Sequence, residues 1–165
     1  MKYFRIVWDQ EAPTSLAHGP KGLHLLDARE MESVPLQLDE GEPVDYQPNF
    51  MVWRLCSERL RRILDEHKAL VDELRWIPVP LSAGGRTLQY FRLLSTPLPR
   101  LLHPSSIMAG PMIVKPVLDA DRAAPHHVFV LSEDGNAIVA QPIRDAIAAG
   151  CRGVAFLNVL TAVSS

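Results

Sequence analysis

Cysteine is scarce. Only Cys56 and Cys151 occur in 165 residues, far apart and without metal-type spacing. A disulfide framework and a zinc centre therefore have no support in the pattern, and two separate, reduced thiols are expected. No apolar run reaches the roughly 18 residues that span a bilayer, and the start, Met1-Lys2-Tyr3-Phe4-Arg5-Ile6, lacks the apolar block and small-residue cleavage site of a signal peptide. The expectation is a cytoplasmic protein without membrane contact. Net charge is nearly absent as well, since 17 Lys+Arg face 19 Asp+Glu. That balance removes the global basic footprint of a nucleic-acid binder. Catalytic signatures are missing too. Among the six histidines, the adjacent pair His126-His127 would point to opposite faces of a strand, and Gly84-Gly85 precedes a strand rather than the helix a phosphate-cradling loop requires. No metal and no cofactor are expected.

What the chain does have is 47% apolar residues, ample for a continuous core, which a length of 165 residues distributes most simply over one domain, 1–165. The clearest periodic signal runs from Ser57 to Leu74. Leu60, Ile63, Leu64, Leu70, Val71 and Leu74 share one helical face, and Arg59, Arg61, Arg62, Asp65, Glu66, Lys68, Asp72 and Glu73 fill the remainder. Ser57 is placed to cap the first turn, and Pro78 cannot continue a helix, so a long helix over 57–75 is predicted. A shorter helix over 142–149 follows from Pro142 at its first position, the shared face of Ile143, Ala146 and Ile147, and Gly150 as a left-handed stop.

Around these helices the strand signals are residues 2–8, with Tyr3 out of phase against Phe4, Ile6 and Trp8; 23–26; the edge pattern Val34, Leu36, Leu38; Phe50-Met51-Val52-Trp53; 76–81 and 86–94 as a hairpin through Gly84-Gly85; Met112-Ile113-Val114; 127–131 and 137–140 as a second hairpin; and 154–159. The strand-helix-strand arrangement appears twice. The fold class is thus α+β, a single domain with a mostly antiparallel sheet packed against the two helices. Six of the 14 prolines fall between 97 and 125, which predicts long ordered loops there.

Charge is unevenly distributed. Residues 1–56 hold 5 Lys/Arg against 9 Asp/Glu, residues 57–100 hold 8 against 5, and positions 30–45 contain six acids and no base. Such a run is either a solvated surface or an acidic docking patch for a basic partner. Asp65-Glu66 and Asp72-Glu73 read as exposed helical carboxylates with pairings such as Glu58–Arg62 or Asp65–Lys68. Cys56 is the best nucleophile candidate, at the start of the main helix, and a small cysteine-dependent hydrolase or transferase using His126 or His127 is the alternative enzymatic reading. A nucleic-acid module using Arg59, Arg61, Arg62, Arg75 and Arg86 is a third.

The run from Phe50 to Leu64 (Phe50-Met51-Val52-Trp53-Arg54-Leu55-Cys56-Ser57-Glu58-Arg59-Leu60-Arg61-Arg62-Ile63-Leu64), the following Ile77-Pro78-Val79-Pro80-Leu81, and Tyr90-Phe91-Arg92-Leu93-Leu94 resemble immunity protein family eleven of bacterial polymorphic toxin systems. His127-Val128-Phe129-Val130-Leu131, then Ile138-Val139-Ala140, Ile143-Arg144-Asp145-Ala146-Ile147 and Gly150-Cys151-Arg152-Gly153-Val154-Ala155-Phe156 are similar to that family's closing segment. The resembling part spans 49–159, and 1–48 is more variable. The resemblance implies a non-enzymatic protein of bacterial competition, including type VI secretion, that binds a cognate toxin and blocks its active site in the producing cell. A nuclease effector has a basic cleft because it binds phosphate. Against such a partner the expected toxin-binding residues are Asp39, Glu40, Glu42 and Asp45.

Overall fold

The computed structural model describes residues 1–24, 27 and 31–164. Two larger sheets and a ribbon replace the single sheet expected. Strands β1 (Tyr3–Trp8), β8 (Val117–Asp119), β9 (Val128–Val130), β10 (Ala137–Ala140) and β11 (Val154–Ala162) form a five-stranded sheet in the order β8-β11-β1-β10-β9, antiparallel except for the β8–β11 pair. A second sheet, ordered β2-β4-β5-β3, contains β2 (Leu36–Leu38), β3 (Leu55–Ser57), β4 (Trp76–Ala83) and β5 (Arg86–Leu93), with only β2–β4 parallel. The ribbon pairs β6 (Ile107–Ala109) with β7 (Met112–Lys115). Mostly antiparallel α+β is therefore the observed class.

Both faces of β9 and β10 are covered, which is why these two strands read as unbroken apolar runs. Phe4, Ile6, Trp8, Val128, Val139 and Phe156 meet helices α1 (Glu58–His67) and α3 (Gln141–Gly150) on one side. Tyr3, Phe129, Ile138, Ala140 and Val159 pack on the other side with Leu101, Leu118 and Ala123. The phase of Tyr3 against Phe4, Ile6 and Trp8 is thus the alternation of a strand between two layers. The proline-rich region 97–125 supplies much of the second layer. Leu98, Leu101 and Leu102, with Ala123 of the short helix α2 (Ala120–Ala123), form that cover, and the region also contains the ribbon β6–β7 and the sheet's own strand β8.

The start of α1 is as expected. Ser57 Oγ accepts from Leu60 N at 3.2 Å with Ser57 in an extended conformation. Leu60 and Leu64 are fully buried, which contributes roughly 1.5–3 kcal/mol each. The end differs, because α1 stops at His67 and not near Arg75. Lys68 turns extended, Leu70 and Val71 are exposed, and Asp72, expected on a solvated helical face, is buried. The Asp72 carboxylate accepts from Ala69 N (2.8 Å), His127 N (2.9 Å) and Val128 N (3.0 Å), and lies 2.9 Å from His126 Nδ1. Helix propensities of a few tenths of a kcal/mol per residue cannot hold residues 68–75 against a buried carboxylate with four partners.

The ion pairs also shift. Arg61 pairs with Asp65 at 3.2 Å and more loosely with Glu58 at 3.8 Å, instead of the pairings Glu58–Arg62 and Asp65–Lys68. Helix α3 matches its predicted span within a residue at each end. Gly150 is its last residue rather than a left-handed stop, and an added Cβ there would make only an ordinary contact, 3.7 Å from Ile63 Cδ1 of α1. The positive φ belongs to Gly153, whose Cβ would fall 2.4 Å from Val44 Cβ.

Both predicted hairpins are present. Trp76–Ala83 and Arg86–Leu93 pair through Gly84 (φ 55) and Gly85 (φ 76), and Val128–Val130 pairs with Ala137–Ala140. The edge strand at 34–38 is β2, and the segment Met112-Ile113-Val114 lies within β7. Residues 50–53 are not a strand; Phe50 and Met51 form a turn and the strand begins at Leu55. Of the strand expected at 23–26, Leu23 and His24 have no regular structure, and Leu25 and Leu26 lie outside the described residues.

Candidate functional site

Segment 14–18 runs between two stretches that are distant in sequence. On one side Thr14 bridges Gly41, and His18 exchanges backbone hydrogen bonds with Gln37. On the other, Ala17 N donates to Pro48 O (2.9 Å) and Phe50 N donates to Ala17 O (3.0 Å). The acidic residues 39–42 and the turn at 49–53 are therefore flanks of one small surface, about two strand spacings apart, or roughly 10 Å.

Two buried amides hold that surface rigid. Gln47 accepts from Val44 N with Oε1 (2.9 Å) and donates from Nε2 to Ser15 O (2.9 Å) and Pro48 O (3.2 Å). Asn49 accepts from Trp53 N (2.9 Å) and donates to Gln47 O (3.1 Å) and Trp53 O (2.9 Å). This clamp closes the turn with Phe50 and Val52 facing outward, 52% and 66% exposed. Val52 sits at φ 56, an unfavourable conformation for a β-branched residue that costs about 1–3 kcal/mol and persists only where the surroundings over-determine it. Leu16, on the intervening segment, is also exposed. Three large apolar side chains thus sit on mutually hydrogen-bonded segments, beside the acids.

The four candidate acids separate into two kinds. Asp39, Glu40 and Glu42 are exposed; Asp39 lies 2.8 Å from His18 Nε2 and accepts from Gln37 Nε2 at 3.1 Å. The hydrogen bond from His18 to Gly19 O, reinforced by the Asp39 carboxylate, raises the pKa of His18. Asp45 corrects the expectation, since it is buried and its carboxylate is used internally. Oδ1 accepts from Ser57 Oγ (2.5 Å) and Oδ2 from Arg152 N (2.7 Å), while its backbone pairs with Arg152 O and Ser57 N. It braces the cap of α1 against the turn before β11. Of the remaining acids in 30–45, Glu32 pairs with Arg75 at 2.6 Å, and Glu30 lies outside the described residues.

Beside Val52 a cleft of about 480 Å³ opens between the five-stranded sheet and the segment 46–54. Trp8, Tyr46, Trp53, Arg54 and Asn136 line it, and Arg54 Nη1 spans it by donating to Gly135 O at 2.7 Å. An apolar side chain of a docked partner has room there.

The thiols are placed for packing. Cys56 is 1% exposed in the core between α1 and the five-stranded sheet, and burial pushes its thiol upward, opposite to the direction that activates a nucleophile. Cys151, half-buried, is pushed up to about 12, first by burial and then by the Asp45 charge. His126 faces Asp72, and His127 Nδ1 lies 3.2 Å from His67 O. Neither of these contacts involves Cys56, whose Sγ lies 4.0 Å from Arg54 O. Among the described residues, no three His, Cys, Asp or Glu side chains converge as a metal site.

Of the five arginines considered for nucleic acid, Arg62 and Arg86 are exposed, and the other three make contacts within the fold. Arg59 donates to Gly150 O at the C-terminal end of α3, Arg61 covers the Phe91 ring at 4.5 Å, and Arg75 pairs with Glu32.

The apolar turn at 50–53 escaped the sequence reading because its residues look like a strand. Gln47-Pro48-Asn49 was the available signal, since proline and asparagine favour turns for identifiable steric and hydrogen-bonding reasons. Comparison with protein-family models found no match, and comparison with curated protein sequences found none.

Proposed function

We propose that this protein is an immunity protein that binds a cognate secreted toxin in the cytoplasm of the producing cell and neutralises it by covering its active site. The observation that carries the reading is the joint display of Leu16, Phe50 and Val52 beside Asp39, Glu40 and Glu42 on a rigid scaffold. Apolar anchors at the centre with charged groups at the rim are the anatomy of a protein-binding surface. Its acidic rim complements a basic face, as a nuclease cleft presents, and pre-organisation by Gln47 and Asn49 reduces the entropy lost on docking. The likeness of 49–159 to the immunity family supports the same assignment. The partner is a protein, and the inhibitor needs neither a cofactor nor a metal for this role.

The test is co-expression with the product of the adjacent upstream gene, which the proposal expects to be a toxin. Growth is expected to be restored and the two proteins to copurify; a toxin that stays lethal and unbound ends the proposal. Within a complex, Phe50→Ala is expected to weaken affinity by at least tenfold, mainly through faster dissociation. Reversing Asp39, Glu40 and Glu42 to lysine should slow association about tenfold or more at low salt and flatten its salt dependence. Unchanged association in the triple variant would return these acids to the role of solvated surface.

His18 adds a pH dependence. Protonated, it offsets the Asp39 charge, and because its pKa is raised, this offset is fully present below pH 6.5 and disappears as pH rises through the higher native value. Contributions of the His18–Asp39 pair to folding stability follow the same sign. Association with a basic toxin should therefore be faster at pH 8.5 than at pH 5.5, and His18→Gln should remove most of the difference. Stopped-flow association rates across that range are the check.

A further inference from the structure

The cleft beside Val52 has a cation in its wall and no carboxylate to match it. Arg54, partly buried, uses Nη1 on the neutral carbonyl of Gly135 at 2.7 Å. Its Nη2 has no partner among the described residues, its Nε is enclosed without a hydrogen bond, and none of the ion pairs among those residues includes it. Trp53, 4% exposed and part of the same wall, likewise leaves its Nε1–H without an acceptor. Buried donors in folded proteins are nearly always paired, so two adjacent residues with idle donors in one cleft need an explanation.

The neighbouring charges do not supply it. Arg92 lies over the Trp53 ring at 4.3 Å, and burial followed by the Arg54 charge pushes its pKa down, so a second cation shares this neighbourhood. Among the described residues that line the cleft, Asp134 is the one acid. Its carboxylate faces Arg5 at 3.6 Å and accepts from Asn136 N at 2.9 Å, and it does not pair with Arg54.

We propose that the cleft receives an acidic side chain of the toxin, with its carboxylate on Arg54 and its methylene stem against Trp8 and Val52. The inference rests on the immunity reading and specifies what the cleft beside that surface selects. Charge complementarity chooses the occupant. A docked protein that closes the cleft removes water from Arg54, and one without an acid at that point leaves the guanidinium desolvated and unpaired, which is the costly case. A partner with the acid gains a charge-assisted hydrogen bond between shielding aromatic walls. An aliphatic or aromatic side chain fits the volume of about 480 Å³ but leaves the idle donors unmatched, and a lysine or arginine meets like charge. One acid on an otherwise basic toxin face thus separates the cognate toxin from the other basic proteins that Asp39, Glu40 and Glu42 attract. The acidic rim steers, and Arg54 selects.

The experiment measures binding of the full chain to the toxin. Arg54→Gln is expected to weaken affinity about thirtyfold or more, mainly through faster dissociation, and Arg54→Lys to recover part of the loss. Because Arg54 also holds Gly135, urea unfolding first fixes the folded fraction of each variant, and the decisive readout is a charge exchange. Against Arg54→Glu, each acidic residue of the toxin is changed to arginine in turn, and one exchange should restore affinity about tenfold or more. A merely structural Arg54 restores nothing in any exchange. A native chain that does not bind the toxin ends the immunity reading and this inference together. Native binding with unchanged affinity in Arg54→Gln, or with no exchange that restores Arg54→Glu, ends the inference alone. If in that case free phenylacetate shifts the amide resonances of Trp8, Arg54 and Asn136, the occupant is a small acid and not the toxin.

Discussion

Replacing Asp72 by alanine is expected to destabilise the protein by about 3–5 kcal/mol and to lower the thermal midpoint by roughly 10 °C or more. The carboxylate is buried and collects three backbone N–H groups, from Ala69, His127 and Val128, together with His126. Truncation leaves those part-buried and buried donors without their acceptor, and hydrogen bonds to a charged group are worth about 1.5–3 kcal/mol each before any relaxation. The damage has a location as well as a size. Asp72 fastens residues 68–75 to the start of β9, so amides at 127 and 128 should lose hydrogen-exchange protection ahead of the core. Glu73→Ala is the internal control, because Glu73 is exposed and its loss should stay within about 0.5 kcal/mol. Equal unfolding curves for the two variants would show that the carboxylate carries no such function.

Asp45→Ala should behave as a core variant and not as an interface variant, losing about 2–4 kcal/mol in urea unfolding. Its carboxylate joins Ser57, the cap of α1, to the backbone of Arg152, so removal deprives the cap hydroxyl of its acceptor and leaves Arg152 N unpaired. Asp45→Asn should be milder, since one amide oxygen can still accept from Arg152 N while the amide nitrogen donates to Ser57 Oγ. Toxin association by the folded fraction should keep its native salt dependence. The contrast with the Asp39, Glu40 and Glu42 reversals is informative, as four acids that look alike in sequence then divide into three that act at the surface and one that acts inside. A stable Asp45→Ala protein with slowed association would restore Asp45 to the docking surface.

The division between what was legible and what was not follows the range of the interactions. Ser57 as cap, Pro142 opening α3, and Gly84-Gly85 turning the β4–β5 hairpin act on neighbours within a few residues, so residue type and spacing were sufficient. The alternation of β1 was visible in the phase of Tyr3 against Phe4, Ile6 and Trp8, but the second layer that buries Tyr3 was not. The end of α1 was not. An apolar stripe continues through Leu70, Val71 and Leu74, and the group that interrupts it, Asp72, does so through partners 54 to 56 residues away. The candidate site failed to appear for the same reason. Phe50 and Val52 have strand-like side chains, and only the docking of segment 14–18 on Pro48 and Phe50, with the Asn49 clamp, turns them outward.

By itself, then, the sequence determined the class of the fold, its two strand-helix-strand units, its two main hairpins and an acidic stretch near 39–45, because periodicity, capping and turn chemistry are local properties of the chain. Tertiary structure alone decided that the strands divide into two sheets and that Asp72 and Asp45 are buried. It also decided that Phe50, Val52 and Leu16 are exposed on segments linked by backbone hydrogen bonds to the acidic stretch and that the 107–115 ribbon is left uncovered. Those outcomes depend on which distant backbone groups and side chains meet, and on the desolvation that follows, and neither is written in the spacing of residues along the chain.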